Sequence, residues 1–395
     1  MTMPRLLLTA ESAADRLGVS RATLYAYVSR GFVRTHPAPD DPRRRLYSAS
    51  DIERLTGNKT RGRKAADIAA ATLDFGLPAL ASGITLIEGD RLYYRGRDAA
   101  QLAARASLEE TARLLWNCSE DPFGAAPGLS RSAAKLIASL ADAFPLDRCM
   151  AVLPIAGVGD AMTWQRDERR LWHEGALLLR LMAAAATGTA PSDAPIHLHV
   201  ARAWGLSERA AQSIRAALVL CADHELNSSA FAVRVVASTG ASLAACLAAG
   251  LSALSGPRHG GTTSLVEILF EEAERLGDAR RLVQERLRRG DILPGFGHPL
   301  YRGGDPRAPA LLSLLPRDGT RDALREAMDA IRGVQPNVDF ALVSLRRALR
   351  LKPGSALALF AIGRTAGWIA HALEQQAEDK PIRPRARYTG PAPVA

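Results

Sequence analysis

The sequence predicts a mainly α-helical body preceded by a small, basic helix-turn-helix module. Two observations carry this. Ala, Leu and Arg are abundant while aromatics are only 5% of the 395 residues, a balance that favours helix over sheet. The charge is also segregated. Residues 1–64 hold thirteen Lys/Arg against six Asp/Glu, a net +7 of the chain's +10. That pattern implies a basic module joined to a nearly neutral body. A hydrophobic content of 47% supports a sizeable core in two or three domains.

Taken in order, the first module runs from Leu8 to Leu55. Thr9 or Ser12 can cap a short helix whose apolar side is Ala13, Ala14 and Leu17. Gly18 makes a tight turn, and Ser20 caps a second helix with Leu24, Tyr27 and Val28 facing inward. Two short helices about a glycine turn are the helix-turn-helix signature. Arg21, Thr23, Tyr25 and Arg30 then remain outward, and the following wing carries Arg43, Arg44 and Arg45 before a third helix capped by Ser50. In LGVSRATLYAYVSRGFV and RRRLYSASDIERL the segment resembles the DNA-binding domain of MerR-type regulators. The resemblance implies a winged helix-turn-helix that binds duplex DNA, basic wing residues meeting phosphates. A helical module used only for packing is the other reading of the same residues. The module is assigned to 1–57, and the basic, Gly-containing stretch NKTRGRKA places a linker at 58–66.

From 67 to 395 the pattern is that of the helical body. A strand around Leu92–Tyr94 leads to two helices. Asp98 caps the first, and Ser107 with Glu110 forms a capping box on the second. Between Leu129 and Val200 lie Ala/Leu-rich amphipathic segments broken by Pro and Gly. His197 and His199 are too closely spaced for one helical face, so they read as surface or interface histidines, not metal ligands. Cys118, Cys149, Cys221 and Cys246 lack CxxC spacing and read as reduced core residues of a cytoplasmic protein. Val235–Pro257 carries no charge and is long enough to span a bilayer. Its Ala, Gly and Ser content suits a packed interior better than lipid, so no membrane association is expected. Thr239–Leu254 within it reads as one buried helix holding His224 and His259 apart.

Four motifs concentrate ionisable groups at loops or helix ends: DHELN (223–227), SGPRHGG (255–261), PGFGHPLYRGGDPR (294–307) and QPNVDF (335–340). Arg364 and Arg383 follow. Histidines, one carboxylate and several arginines suit proton-coupled chemistry on a small polyanion, since arginine pairs carboxylates bidentately. Ser264 and Glu267 can open a helix as a capping box just after His259. The helix N-terminus would keep that imidazole neutral and fit to polarise a carbonyl. Asp339 falls in the first turn after Asn337, where the helix dipole favours a carboxylate.

In these motifs and their order the chain resembles citrate synthase from about Leu92 onward. The resemblance implies an almost wholly helical fold with a large and a small domain, the latter near 262–350, and a homodimer. It implies condensation of acetyl-CoA, or propionyl-CoA, with oxaloacetate to give citrate or 2-methylcitrate, with no metal or redox cofactor. By the same resemblance Asp339 is the base that removes the methyl proton and His259 the donor to the enol. His298 protonates the oxaloacetate carbonyl. His224, Arg307, Arg364 and Arg383 bind oxaloacetate, Arg383 from the partner subunit. Pro294, Gly295, Gly297 and Arg302 belong to the coenzyme A loop. Thr262-Thr263, Pro299 and the residues after Phe340 depart from the family's usual pattern. An alternative is a transcription regulator whose synthase-like body senses metabolites.

Overall fold

The computed structural model describes residues 7–29, 31–38, 41, 44–57, 79–124, 131–156, 167–386 and 389–391. The chain forms two compact units, 1–82 and 83–395. The linker assigned to 58–66, together with Arg30 and Arg43, lies outside the described residues.

In the first unit, β1 (Leu7–Leu8), β2 (Thr35–Pro37) and β3 (Arg45–Ser48) make an antiparallel sheet in the order β1-β3-β2. Leu7 pairs with Ser48, and Thr35 with Tyr47. Helix α1 (Ala10–Leu17) is capped by Thr9, buries Ala13, Ala14 and Leu17, and stops at Gly18 with φ +62°. Helix α2 (Arg21–Ser29) buries Leu24, and α3 (Ala49–Gly57) follows the sheet. The amphipathic reading of this unit holds in detail, with one shift. Ser48, not Ser50, accepts the Asp51 N–H at 3.4 Å, because α3 starts directly from the strand. Asp51 is buried and takes both the backbone and the guanidinium of Arg34.

The second unit opens with an antiparallel sheet of β4 (Thr85–Glu88), β5 (Arg91–Tyr94) and β6 (Arg97–Asp98). Helices α4 (Ala99–Arg105) and α5 (Leu108–Trp116) follow, with Asp98 as the first cap and the Ser107/Glu110 capping box complete. Next come α6 (Arg131–Ser139), α7 (Pro145–Ala156), α8 (Glu168–Thr187), α9 (Ile196–Ala203) and α10 (Glu208–Leu220). Then come α11 (Ser228–Ala237), α12 (Leu243–Leu254), α13 (Thr262–Leu276), α14 (Ala279–Arg288) and α15 (Arg307–Leu312). The last are α16 (Gly319–Arg332), α17 (Val338–Ala348) and α18 (Ser355–Ala377).

Helix α18 is the axis on which the site is mounted. It packs on α5, α8, α10, α11, α12 and α17. Closeness is set by missing side chains: a Cβ on Gly363 would stand 2.5 Å from the Leu218 carbonyl oxygen. One on Gly250 of α12 would stand 2.8 Å from the Trp368 ring. Only α18 is long and apolar enough among the described helices to cross a membrane, and 89% of its most apolar window is buried in this packing. The run expected as one helix over Thr239–Leu254 begins instead at Leu243, after a turn at Gly240 with φ +80°. Leu243, Leu247, Leu251 and Leu254 are buried, whereas Ala245 and Ser252 are exposed, so only one face is core. Helix α13 packs on α14, α16 and α17, α14 also on α16, and α15 on α17.

Candidate active site

Helix α10 ends where the first site segment begins. The buried Tyr94 hydroxyl donates toward the carbonyls of Val219 (3.0 Å), Leu220 (3.1 Å) and Asp223 (3.2 Å), which holds the chain as it leaves the helix. Asn227 then caps α11 by accepting the N–H groups of Ser229 and Ala230. Between them His224 is buried, and its Nε2 lies 2.8 Å from the Tyr301 hydroxyl. Beneath it runs a buried polar chain. Thr85 donates to Asp223 at 2.6 Å, His371 Nε2 faces Asp223 at 3.3 Å, and Arg234 donates to His371 Nδ1 at 3.1 Å. Arg234 ends the chain in an ion pair with Glu374.

The second half of the site consists of two loops zipped together. Asn337 N donates to the Gly295 carbonyl and Gly297 N to that of Gln335, both at 2.9 Å. The Asn337 side chain adds a bond to the Gly297 carbonyl at 3.1 Å. Gly295 (φ +86°) has no room for a Cβ, which would lie 2.9 Å from Val266. His298 is therefore presented by a loop that is itself fastened to the start of α17, which carries Asp339. Asp305 extends the zipper. Its carboxylate accepts Arg307 bidentately at 2.9 and 2.8 Å and the Val338 N–H at 2.9 Å.

These elements bring the His224, His298 and Tyr301 rings together, with centroids 4.8 Å apart for the two histidines and 5.1 Å for His298 and Tyr301. On α18, Arg364 is buried, donates Nε–H to the Cys221 carbonyl at 2.9 Å, and lies over the Phe360 ring. Its Nη2 is buried without a hydrogen-bond partner. A buried guanidinium with an unused donor fork is what a carboxylate ligand would satisfy. His259 packs edge-on to the same Phe360, and its Nε2 is 2.8 Å from Ser229 Oγ.

Arg307 and Arg364 dominate the electrostatics. Burial and Arg364 push His259 down to about 4. Burial and Arg307 do the same to His298, and His224 is driven well below its usual value by burial and both arginines. All three rings are therefore neutral at pH 7. Burial raises the Asp339 carboxyl to about 7 despite the opposing pull of Arg307 and Arg364. Two expectations change here. The Ser264/Glu267 capping box is absent: α13 begins at Thr262 without a side-chain cap, and Glu267 faces Arg346 and Arg347 instead. His259 is thus neutral because it is desolvated beside Arg364. Nor does the helix dipole keep Asp339 acidic, since loss of water outweighs it.

The structure places His224, His259, His298, Arg307, Asp339 and Arg364 within one electrostatic neighbourhood. Pro294 and Gly295 are buried in the loop behind it, Gly297 is half-buried, and the Arg302 side chain is exposed. Arg383 is exposed beyond the last helix and is not brought to this cluster within the protomer. Tyr301, Asp305 and Ser229 join the site as well, and all three lie in or beside the four motifs. A signal was present for Asp305, an acid two residues before a buried arginine. His199 is not a surface residue: it is buried, with Ser192 at 3.0 Å and Thr189 at 3.1 Å satisfying its two nitrogens. His197 is buried too. Among the described residues no cluster of His, Cys, Asp or Glu could hold a metal ion. Cys149, Cys221 and Cys246 are free and buried, and Cys118 is free and half-buried.

In the first unit Arg44, Arg45 and Tyr25 are exposed. Arg21 is exposed and pairs with Glu11 at 3.3 Å. Thr23 is half-buried against the Ser20 hydroxyl at 3.0 Å, which leaves it less available than its position suggested.

The body is thus a helical protein in which neutral histidines and one carboxyl surround two buried arginines, one of them with an unsatisfied Nη2. Residues 74–385 match the citrate synthase C-terminal domain family, and the chain belongs to that family. Residues 7–59 match a helix-turn-helix domain family, a broader class than the MerR type. Citrate synthase 2 of Bacillus subtilis is 29% identical over 80% of this chain and 95% of its own. The 2-methylcitrate synthase of Shewanella oneidensis is 27% identical over 87% and 97%. The putative citrate synthase 2 of Mycobacterium tuberculosis is 41% identical, but over 46% of this chain, which spans about half (52%) of that relative's length. Among solved structures, citrate synthase from Thermotoga maritima matches with a TM-score of 0.68 at 26% identity, covering 80% of this chain and 95% of that one.

Proposed function

We propose that the protein condenses an acyl-CoA thioester with oxaloacetate, releasing coenzyme A. The observation that carries this is the pairing of a carboxyl poised near neutrality with neutral histidines around Arg307 and the unsatisfied Arg364. Asp339, ionised above its raised pKa, takes a proton from the carbon next to the thioester carbonyl. His259 donates a hydrogen bond to the thioester oxygen, which becomes the enol oxygen.

Ser229 links His259 to the start of α11. Trp368 Nε1 can only donate, and it occupies Ser229 Oγ at 3.1 Å. Ser229 Oγ donates to Asn227 Oδ1 at 2.7 Å and also lies 2.8 Å from His259 Nε2. In this reading catalysis requires the Ser229 proton to turn to Nε2, which leaves the imidazole proton on Nδ1 for the thioester oxygen. The enol carbon attacks the oxaloacetate keto carbon, and His298 supplies the proton to the resulting alkoxide. Water then cleaves the thioester to give the tricarboxylate and the free thiol. Arg307 and Arg364 hold the oxaloacetate carboxylates, with His224 beside them. A positioned base or acid contributes roughly 10²–10⁴-fold and one aimed donor about 3 kcal/mol. Acetyl-CoA gives citrate by this chemistry and propionyl-CoA gives 2-methylcitrate. In this reading the enzyme is a homodimer to which Arg383 of each protomer contributes.

Thiol release from acetyl- or propionyl-CoA in the presence of oxaloacetate tests the reading, and absence of turnover with both donors refutes it. A second reading, duplex-DNA binding by the first unit, is favoured by the exposed Tyr25, Arg44 and Arg45 on a helix-turn-helix match. Binding should weaken steeply with salt and vanish on removal of residues 1–64. Equal binding by the full and shortened chains overturns it.

A further inference from the structure

We infer that Asp90 is a latch that fixes the loop carrying His298 and Tyr301, and so a positioning residue for the condensation proposed above, on which its kinetic consequence rests. Asp90 sits at the tip of the β4–β5 hairpin, next to Gly89, with φ +56° and +58° at the two positions. Such two-residue turns with both φ positive match the twist of the flanking strands, and Asp tolerates the left-handed region. The side chain is exposed, yet both oxygens are engaged. Oδ1 accepts the Arg302 N–H at 2.6 Å and Oδ2 accepts the Gly303 N–H at 3.1 Å. Two successive backbone N–H groups around one carboxylate form an anion nest. Gly303 allows this approach, because a Cβ there would stand 3.1 Å from Asp90 Oδ2.

The position of the nest gives it consequence. The loop is fastened at 295–297 by the backbone of Gln335 and Asn337, and at Asp305 by Arg307 and Val338. Between those anchors lie His298, Tyr301 and Arg302. Leu300 N donates to His298 Nδ1 at 3.2 Å and Tyr301 N to the His298 carbonyl at 3.2 Å, both bonds internal to the loop. Asp90, 212 positions away in sequence, ties this span to the hairpin. Removing it leaves the loop's two ends anchored and only the Tyr301 side chain, through His224, holding its outer turn. Tyr301, which meets His224, would then lose its fixed register.

Hydrogen exchange of the 298–305 segment and steady-state thiol release, measured on the intact protein and on Asp90→Ala and Asp90→Asn, test the latch. In Asp90→Ala, exchange in that segment should accelerate while exchange elsewhere and thermal stability hold. kcat should fall by about ten- to a hundredfold, the upper figure being the cost of a displacement of about 1 Å, with Asp90→Asn intermediate because its amide oxygen can accept one N–H. Unchanged exchange overturns the latch. Faster exchange with kcat and KM within twofold of the parent overturns its positioning role. Should the parent protein show no turnover, the condensation reading fails by itself and the exchange comparison still decides the latch.

Discussion

The raised Asp339 carboxyl couples activity to stability, and Asp339→Asn exposes the coupling. In the folded protein this group titrates near 7 against an ordinary 3.8, burial being the main cause. The folded state therefore holds the proton more tightly than the unfolded chain. Stability from this group is fully present below about pH 4 and is lost as pH rises through 7. A difference of roughly three pKa units corresponds to about 4 kcal/mol. The Asn variant retains the shape but never ionises. It should be more stable than the parent by a few kcal/mol at pH 8, and no more stable at pH 4. Over the same change the proposed base disappears, so turnover should fall by roughly 10³-fold or more. Denaturant unfolding at several pH values, alongside thiol release, measures both. If the variant is no more stable relative to the parent at pH 8 than at pH 4, the carboxylate is not desolvated and the reasoning fails.

The same carboxyl predicts a pH profile in which kcat/KM climbs about tenfold per unit below pH 7 and is flat above it. His259 and His298, titrating near 4, should contribute no limb between pH 5 and 9, and a bell centred there would contradict their neutrality. Tyr301→Phe removes only the hydroxyl that meets His224 and should raise KM for oxaloacetate by about tenfold, the worth of roughly one hydrogen bond, with unfolding little changed. Gly363→Ala should destabilise by about 3 kcal/mol or more, since its Cβ would press on the Leu218 carbonyl at 2.5 Å. Turnover per folded molecule should drop too, because Arg364 is the next residue.

Local signals in the sequence match the structure wherever the governing interaction is itself local. The Thr9 cap, the Gly18 stop, the Asp98 cap and the Ser107/Glu110 box all span four residues or fewer, and each appears as expected. The boundary errors at Ser48, Leu243 and Thr262 arose where a strand end or a turn outbid an equally plausible cap. His199 was misplaced for a different cause: its alternation with His197 says nothing of Ser192 and Thr189, which make burial affordable.

Composition, charge segregation and motif order are enough to specify the helical class, the basic helix-turn-helix ahead of it, and the set of motifs from which a site could be assembled. The tertiary structure alone decided the protonation states within that site. Desolvation beside Arg307 and Arg364 keeps the histidines neutral and lifts Asp339. Those effects depend on which groups lose water together, and chain positions from Asp90 to Arg364 contribute to them or to the loops that bring them about. Helix dipoles and caps act within one turn and are outweighed by burial contributed from many turns away.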